Sequence, residues 1–181
     1  MLEGGKVPSC ILYGPPGVGK TTLVRLMAKV TGRELLEINA VSAKVETLRD
    51  LLDEAAASKA ATGRSAIAFV DEIYHSTKQQ NVLLPSVEAG GLILVGTTTE
   101  NPWFEINKTL LSRMVVYTLE PLRTEDICAL LERALADKER GLGPPRRDRG
   151  QKAARRIAAL AGGDARQAAD ALFGGRVAHC P

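Results

Sequence analysis

The sequence predicts an α/β fold, a parallel sheet with crossover helices, followed by a small helical domain. Three observations carry that expectation. Short apolar runs recur up to about residue 121, longer helical patterns separate them, and beyond that point only helical patterns remain.

In chain order, the strand candidates are "SCILY" (9–13), "ELLEIN" (34–39), "SAIAFV" (65–70), "LILVG" (92–96) and "MVVYTL" (114–119), the last read as a buried strand. Between the first two, "TTLVRLMAKV" reads as a helix that ends at Gly32. Val45, Leu48, Leu52 and Ala55 then fall on one face of a second helix. Further on, "TEDICALLERALADKER" opens with Thr124 and two acids, a helix start, and "GLGPPRRDRG" breaks it with Gly and Pro. "QKAARRIAALAGG" and "DARQAADALFGG" follow as shorter helices. The expected domains are therefore 1–121, α/β, and 122–181, helical.

Composition bounds the function only loosely. The chain has 181 residues, 45% of them apolar, and a net charge of +3 from 24 basic and 21 acidic residues, too small to imply nucleic-acid binding by itself. Its longest apolar runs fall far short of the roughly 20 residues needed to span a bilayer, and the N-terminus lacks a signal pattern, so the expectation is a cytoplasmic protein with no membrane partner. Cys10, Cys128 and Cys180 are odd in number and far apart, and read as reduced and incidental.

Chemistry enters at "SCILYGPPGVGKTT". Gly14, Gly19, Lys20 and Thr21 satisfy G-x-x-x-x-G-K-[ST], with a strand candidate before and a helix candidate after. Triphosphate charge must be met without side chains crowding it. Glycines let backbone N–H groups point inward, and the following helix offers its positive end. Binding is thus expected from Gly14, Pro15, Pro16, Gly17, Val18, Gly19, Lys20, Thr21 and Thr22, with Lys20 on the β/γ-phosphates and Thr21 on Mg²⁺; the cofactors are ATP and Mg²⁺. The competing reading is a Gly/Pro-rich turn with a surface lysine.

The strand candidate "SAIAFV" ends at Asp71 and Glu72. Beside a phosphate loop, one acid can hold Mg²⁺ and the second can orient or deprotonate water. Taken alone, "DE" after a strand is also a polar loop start or a helix cap. "LILVG" runs into three threonines, of which Thr99 could touch the γ-phosphate or the lytic water; they could equally cap a turn before Asn101 and Pro102. Arg113 stands just before "MVVYTL". It could stabilise a phosphoryl group in flight, or its head could find a carboxylate such as Glu105 or Glu120.

Together "GPPGVGKTT", "FVDE", "VGTTTENPWFEINKTLLSR" and "GGDAR" resemble the AAA+ ATPases, and more narrowly the replication-associated recombination protein A family, whose eukaryotic relatives include the Werner helicase interacting protein. The resemblance runs from about residue 7 to about 172, and "TTENPWFEINKTLLSR" is its most specific stretch. It implies a P-loop NTPase core of the AAA+ type, a five-stranded parallel sheet with flanking helices, followed by a helical lid. Residue by residue, it implies Lys20 and Thr21 as the Walker A pair, Asp71 and Glu72 as the Walker B metal and water residues, and Thr99 as sensor 1. Ser112 and Arg113 resemble the arginine finger inserted into a neighbouring subunit's site, and Arg166 resembles sensor 2. The implied activity is ATP hydrolysis in a DNA replication and recombination maintenance factor. Its implied partners are further copies of the chain, DNA, and replication proteins such as single-strand binding protein.

The sequence departs from that family's pattern after the acids, where "DEIYHSTKQQNVLLP" is one residue shorter and has His75, Ser76 and Thr77 in place of an aromatic–Asn pair while keeping Lys78, Gln79 and Gln80. This segment reads as a loop near the site, and His75 as a surface residue rather than a base. The chain is further expected to be truncated at both ends relative to the family. The basic stretch "PPRRDRGQKAARR" reads as a solvated face or as a contact for phosphate backbones. Two other functions remain: a nucleotide-binding fragment without turnover because its trans site cannot form, and a P-loop transferase or small-molecule kinase with an acceptor other than water.

Overall fold

The computed structural model describes residues 7–137 and 147–177. Cys180, His179 and residues 138–146 lie outside the described residues. The chain forms two compact units: one of the described residues up to Gly14 with Lys20–Leu119, the other of Pro15–Gly19 with the described residues from Glu120 onward.

The first unit holds β1 (Cys10–Tyr13), α1 (Lys20–Thr31), β2 (Leu35–Asn39), α2 (Val45–Thr62), β3 (Ile67–Asp71), α3 (Thr77–Glu88), β4 (Ile93–Thr98), α4 (Pro102–Glu105), α5 (Lys108–Leu111) and β5 (Val115–Thr118). Its five strands pair in parallel in the order β2-β3-β4-β1-β5. The expected five-stranded parallel sheet with flanking helices is therefore present. Parallel strands need crossover connections, and these supply the helices on both faces.

Alternation along the strands divides the core in two. Cys10, Leu12, Ile67, Phe69 and Val95 face α1 and bury Val24, Met27 and Ala28. Ile11, Ala68, Val70 and Leu94 face the other way, against Leu48, Leu51 and Ala55 of α2, Leu83 of α3 and Leu110 of α5. The inward stripe of α2 thus runs through Leu51, with Leu52 packed at its margin.

Two elements differ from the sequence expectation. β5 is an edge strand with only β1 beside it, and Val115 remains 44% exposed, so "MVVYTL" is not a buried strand. The stretch read as a loop after the acids is the helix α3. Its polar start is satisfied locally: Ser76 caps the helix, its hydroxyl accepting from Gln79 N–H. Gln79 and Gln80 are buried with their carboxamide N–H groups on backbone carbonyls, while Gln79 Oε1 has no hydrogen-bond partner. Gln79 Nε2 donates to the carbonyls of Ala40 (3.2 Å) and Ala43 (2.8 Å). Gln80 Nε2 donates to those of Ile73 (3.1 Å) and Glu105 (3.2 Å), and its Oε1 accepts from Asn107 N–H at 2.7 Å.

In the second unit, α6 (Thr124–Ala136), α7 (Arg147–Leu160) and α8 (Ala165–Val177) pack around Ile127, Leu131, Ala154, Ala158 and Ala168. Arg147–Gly150, read in the sequence as part of a break, begin α7. Arg155 and Arg156 of the basic stretch are exposed.

Candidate nucleotide site

The chain leaves the first unit at Gly14 and re-enters it at Lys20, the first residue of α1. Gly14 sits against the end of β5, where a Cβ would collide with the carbonyl of Leu119. Lys20 Nζ donates to the Gly14 carbonyl at 2.7 Å, closing the base of the loop. Within the loop Gly17 and Gly19 have φ of 73° and 90°, conformations that L side chains rarely adopt. Such a backbone frees N–H groups to point at an anion and keeps side chains out of its way. Thr21 follows in the first turn of α1, and the N-terminal end of a helix favours negative charge.

β3 delivers Asp71 as its last residue, in the row that faces α1, and β4 lies beside it. Thr97 of β4 is completely buried, and its hydroxyl donates to Asp71 Oδ1 while accepting the Glu72 N–H at 3.4 Å. Glu72 has φ 54° and ψ 47°, and among the described residues no other non-glycine has positive φ. A side chain in that region costs on the order of 1–3 kcal/mol and persists only where the surroundings impose it. Here they do. Ile73 is buried on the sheet over Gly96, where a Cβ would come within 2.9 Å of the isoleucine, and His75 N–H donates to the Glu72 carbonyl at 3.0 Å.

The Glu72 carboxyl is held above the usual carboxylate range, chiefly by burial and then by the Asp71 charge, while Lys20 and the backbone N–H of Thr99 act in the opposite sense. Its Oε2 is buried without a hydrogen-bond partner. A carboxylate oxygen kept dry and unpaired costs free energy in the fold, which marks it for a ligand or a water. Thr98, by contrast, closes a turn, exchanging hydrogen bonds of 2.9 Å with the backbone of Glu100.

Among the described residues no three of His, Cys, Asp and Glu gather as a metal cluster. Mg²⁺ ordinarily takes one or two protein oxygens with phosphate and water completing its shell, and the Asp71 carboxylate and Thr21 hydroxyl are oxygens of that kind. His75 is exposed, as expected of a surface residue.

Arg113 lies between α5 and β5. It donates to the Thr109 carbonyl at 2.7 Å and the Ser112 hydroxyl at 3.1 Å, and pairs with Glu88 Oε1 at 2.7 Å. The carboxylate it finds is thus Glu88 of α3, and not Glu105 or Glu120.

In the second unit, Asp164 caps α8, its Oδ1 accepting from the N–H groups of Arg166 (2.8 Å) and Gln167 (2.9 Å). Ala165 N–H donates to the carbonyl of Gly17 at 3.2 Å, and a Cβ on Gly17 would collide with the Asp164 carboxylate. Gly17 of the glycine-rich loop is thereby hydrogen-bonded to the start of α8. Arg166 stands exposed in the first turn of that helix.

Residues 10–122 match the family described as "ATPase family associated with various cellular activities (AAA)". The chain belongs to this AAA family. It is similar to the replication-associated recombination protein A of Coxiella burnetii, 45% identical over 172 residues, which cover 94% of this chain and 38% of that one. The protein of the same name from Escherichia coli K12 is 43% identical over the same shares. ATPase WRNIP1 of Dictyostelium discoideum is 39% identical over 95% of this chain and 20% of its own. The likeness expected from "TTENPWFEINKTLLSR" is borne out, and the AAA chain spans less than two fifths of the length of these relatives. The Thermotoga maritima RuvB Holliday junction branch migration motor superposes with a TM-score of 0.69 at 23% identity, covering 90% of this chain and 52% of that one, and so shares the AAA fold.

Three partners of the candidate residues escaped the sequence reading. Thr97 stands two residues before the threonine singled out, and only strand alternation places its hydroxyl on the Asp71 side of the sheet. Asp164 was legible only as part of "GGDAR". Glu88 carried no signal, since its partner comes from a distant segment.

Proposed function

We propose that the chain is an ATP-hydrolysing module that binds ATP with Mg²⁺ through Gly14–Thr22. Thr21 and Asp71 would hold the ion, which when bound draws phosphate charge onto itself. Glu72 orients and deprotonates the attacking water; Lys20, Arg166 and the Arg113 of a neighbouring copy meet the charge that develops on the γ-phosphate; Thr99 stands as sensor 1. The observation that carries this reading is Glu72 Oε2, buried and partnerless beside Asp71 and within the field of Lys20. A structural carboxylate would have its oxygens satisfied, whereas a base must keep one for its water.

The relatives' names carry replication and recombination, and we extend the proposal to that setting: an assembly of copies of this chain, acting on DNA in the cytoplasm, with single-strand binding protein among its candidate partners. In that assembly Arg113 leaves Glu88 to serve the adjacent protomer.

The test is phosphate release per chain against chain concentration, for the wild type, Glu72→Gln and Arg113→Ala, after fluorescent-nucleotide titration has shown equal binding. Glu72→Gln is expected to lose roughly 10²–10⁴ in rate with binding intact. Specific activity is expected to rise with concentration in the wild type and to stay flat in Arg113→Ala. Bound ATP with no phosphate release at any concentration would overturn the proposal.

A further inference from the structure

We propose that Thr97 is a positioning residue for the metal, fixing which oxygen of Asp71 faces the ion; the inference rests on the Walker-type reading of Asp71. Thr97 has no exposed surface, and the strand row it continues is apolar, with Val95 before it and Phe69 on the neighbouring strand. A hydroxyl buried in such a row costs free energy unless both its donor and its acceptor capacity are used. Both are.

Oγ1 carries one proton and two lone pairs. The Glu72 N–H approaches a lone pair, so the proton is left for Asp71 Oδ1. One hydroxyl thereby grips the two acids differently, one by its carboxylate and the other by its backbone. With Oδ1 turned towards the Thr97 proton, Oδ2 would be the oxygen left to face Mg²⁺. The carboxyl is also kept from turning about its last torsion, a soft rotation when nothing opposes it. The β-branched side chain adds its own stiffness, because Thr has restricted χ1 freedom on a strand.

Serine would keep the hydroxyl and lose only the methyl. Valine would keep the shape and lose the grip. Partners that orient metal ligands in this way typically contribute 10–100-fold in metal affinity.

The experiment measures binding of a fluorescent, non-hydrolysable ATP analogue to the full chain as a function of Mg²⁺, and again in EDTA. Thr97→Val is expected to raise the Mg²⁺ midpoint by about 10–100-fold, with EDTA binding within about two-fold of wild type; Thr97→Ser is expected to restore the midpoint to within about three-fold. A purely structural role would weaken binding in both conditions. Thermal melts accompany each variant, and if Thr97→Val does not fold, the Mg²⁺ midpoint of Thr97→Ser against wild type becomes the reading, expected to shift by less than about three-fold. An unchanged midpoint in folded Thr97→Val, equal losses with and without Mg²⁺, or a tenfold or larger shift in Thr97→Ser would overturn the proposal. Loss of nucleotide binding is expected in Lys20→Ala; if that variant binds as wild type does, the Walker reading fails instead, and the two failures remain distinguishable.

Discussion

Glu88 at the end of α3 and Arg113 beyond α5 form an ion pair of 2.7 Å in which both side chains remain about two fifths exposed. Exposed pairs of this kind are worth about 0–1 kcal/mol, so the pair holds Arg113 ready without locking it. If Arg113 serves a neighbouring protomer, it must first leave Glu88. Glu88→Gln is therefore expected to raise phosphate release at limiting chain concentration, by up to about five-fold, the equivalent of 1 kcal/mol. Arg113→Ala is expected to lower it by roughly 10³-fold or more. Steady-state assays of the two variants side by side decide the matter, because parallel losses would mean that the pair itself is the working unit.

Gly17 and Asp164 define a contact that tolerates no side chain. Gly17→Ala forces a Cβ into the Asp164 carboxylate and places alanine at φ 73°, so it is expected to lower stability by more than about 1 kcal/mol and to weaken nucleotide binding. Asp164→Ala removes the cap of α8 and is expected to cost about 1 kcal/mol on its own. In the double variant the collision is gone, and chemical denaturation should show a loss smaller than the sum of the two.

Cys10 lies fully buried in β1, and burial pushes its thiol from 9.0 up to about 12. Its ionised form is disfavoured only in the fold. The corresponding stability is fully present below pH 9.0 and is lost as pH rises towards about 12; a shift of that size corresponds to about 4 kcal/mol. Cys10→Ala should flatten that part of the stability–pH curve. In native protein at pH 8, alkylation is expected to reach the partly exposed Cys128 and to leave Cys10 unmodified, as mass spectrometry of the peptides would show.

Gln80 fills a buried position with three hydrogen bonds to backbone groups. Gln80→Leu leaves those groups dry and is expected to destabilise by about 2–4 kcal/mol in urea melts. Gln80→Glu should be no milder, since it exchanges the two-proton donor for a buried charge.

What the sequence made legible follows from the range of the signals. The apolar runs of β1 to β4 and the Gly-rich loop are local patterns, readable without knowledge of partners. α3 was missed because its first turns are polar; Gln79 and Gln80 look solvent-facing until the carbonyls of Ala40, Ala43 and Ile73 are brought to them. β5 was read as buried from its side chains, but its exposure depends on its place at the sheet edge. The acids were found as a pair, yet the unusual backbone of Glu72 and its grip by Thr97 exist only once β3 and β4 are neighbours.

The carboxamides of Gln79 and Gln80 also act as a register key for α3. A slip of one residue would rotate the helix by about 100° and carry both side chains away from the carbonyls they meet. The register of α3 is thus set from its first turn, where the short turn Ile73–His75 and the cap Ser76 lead into it. Glu88, the last residue of α3, therefore meets Arg113 in that one orientation of the helix.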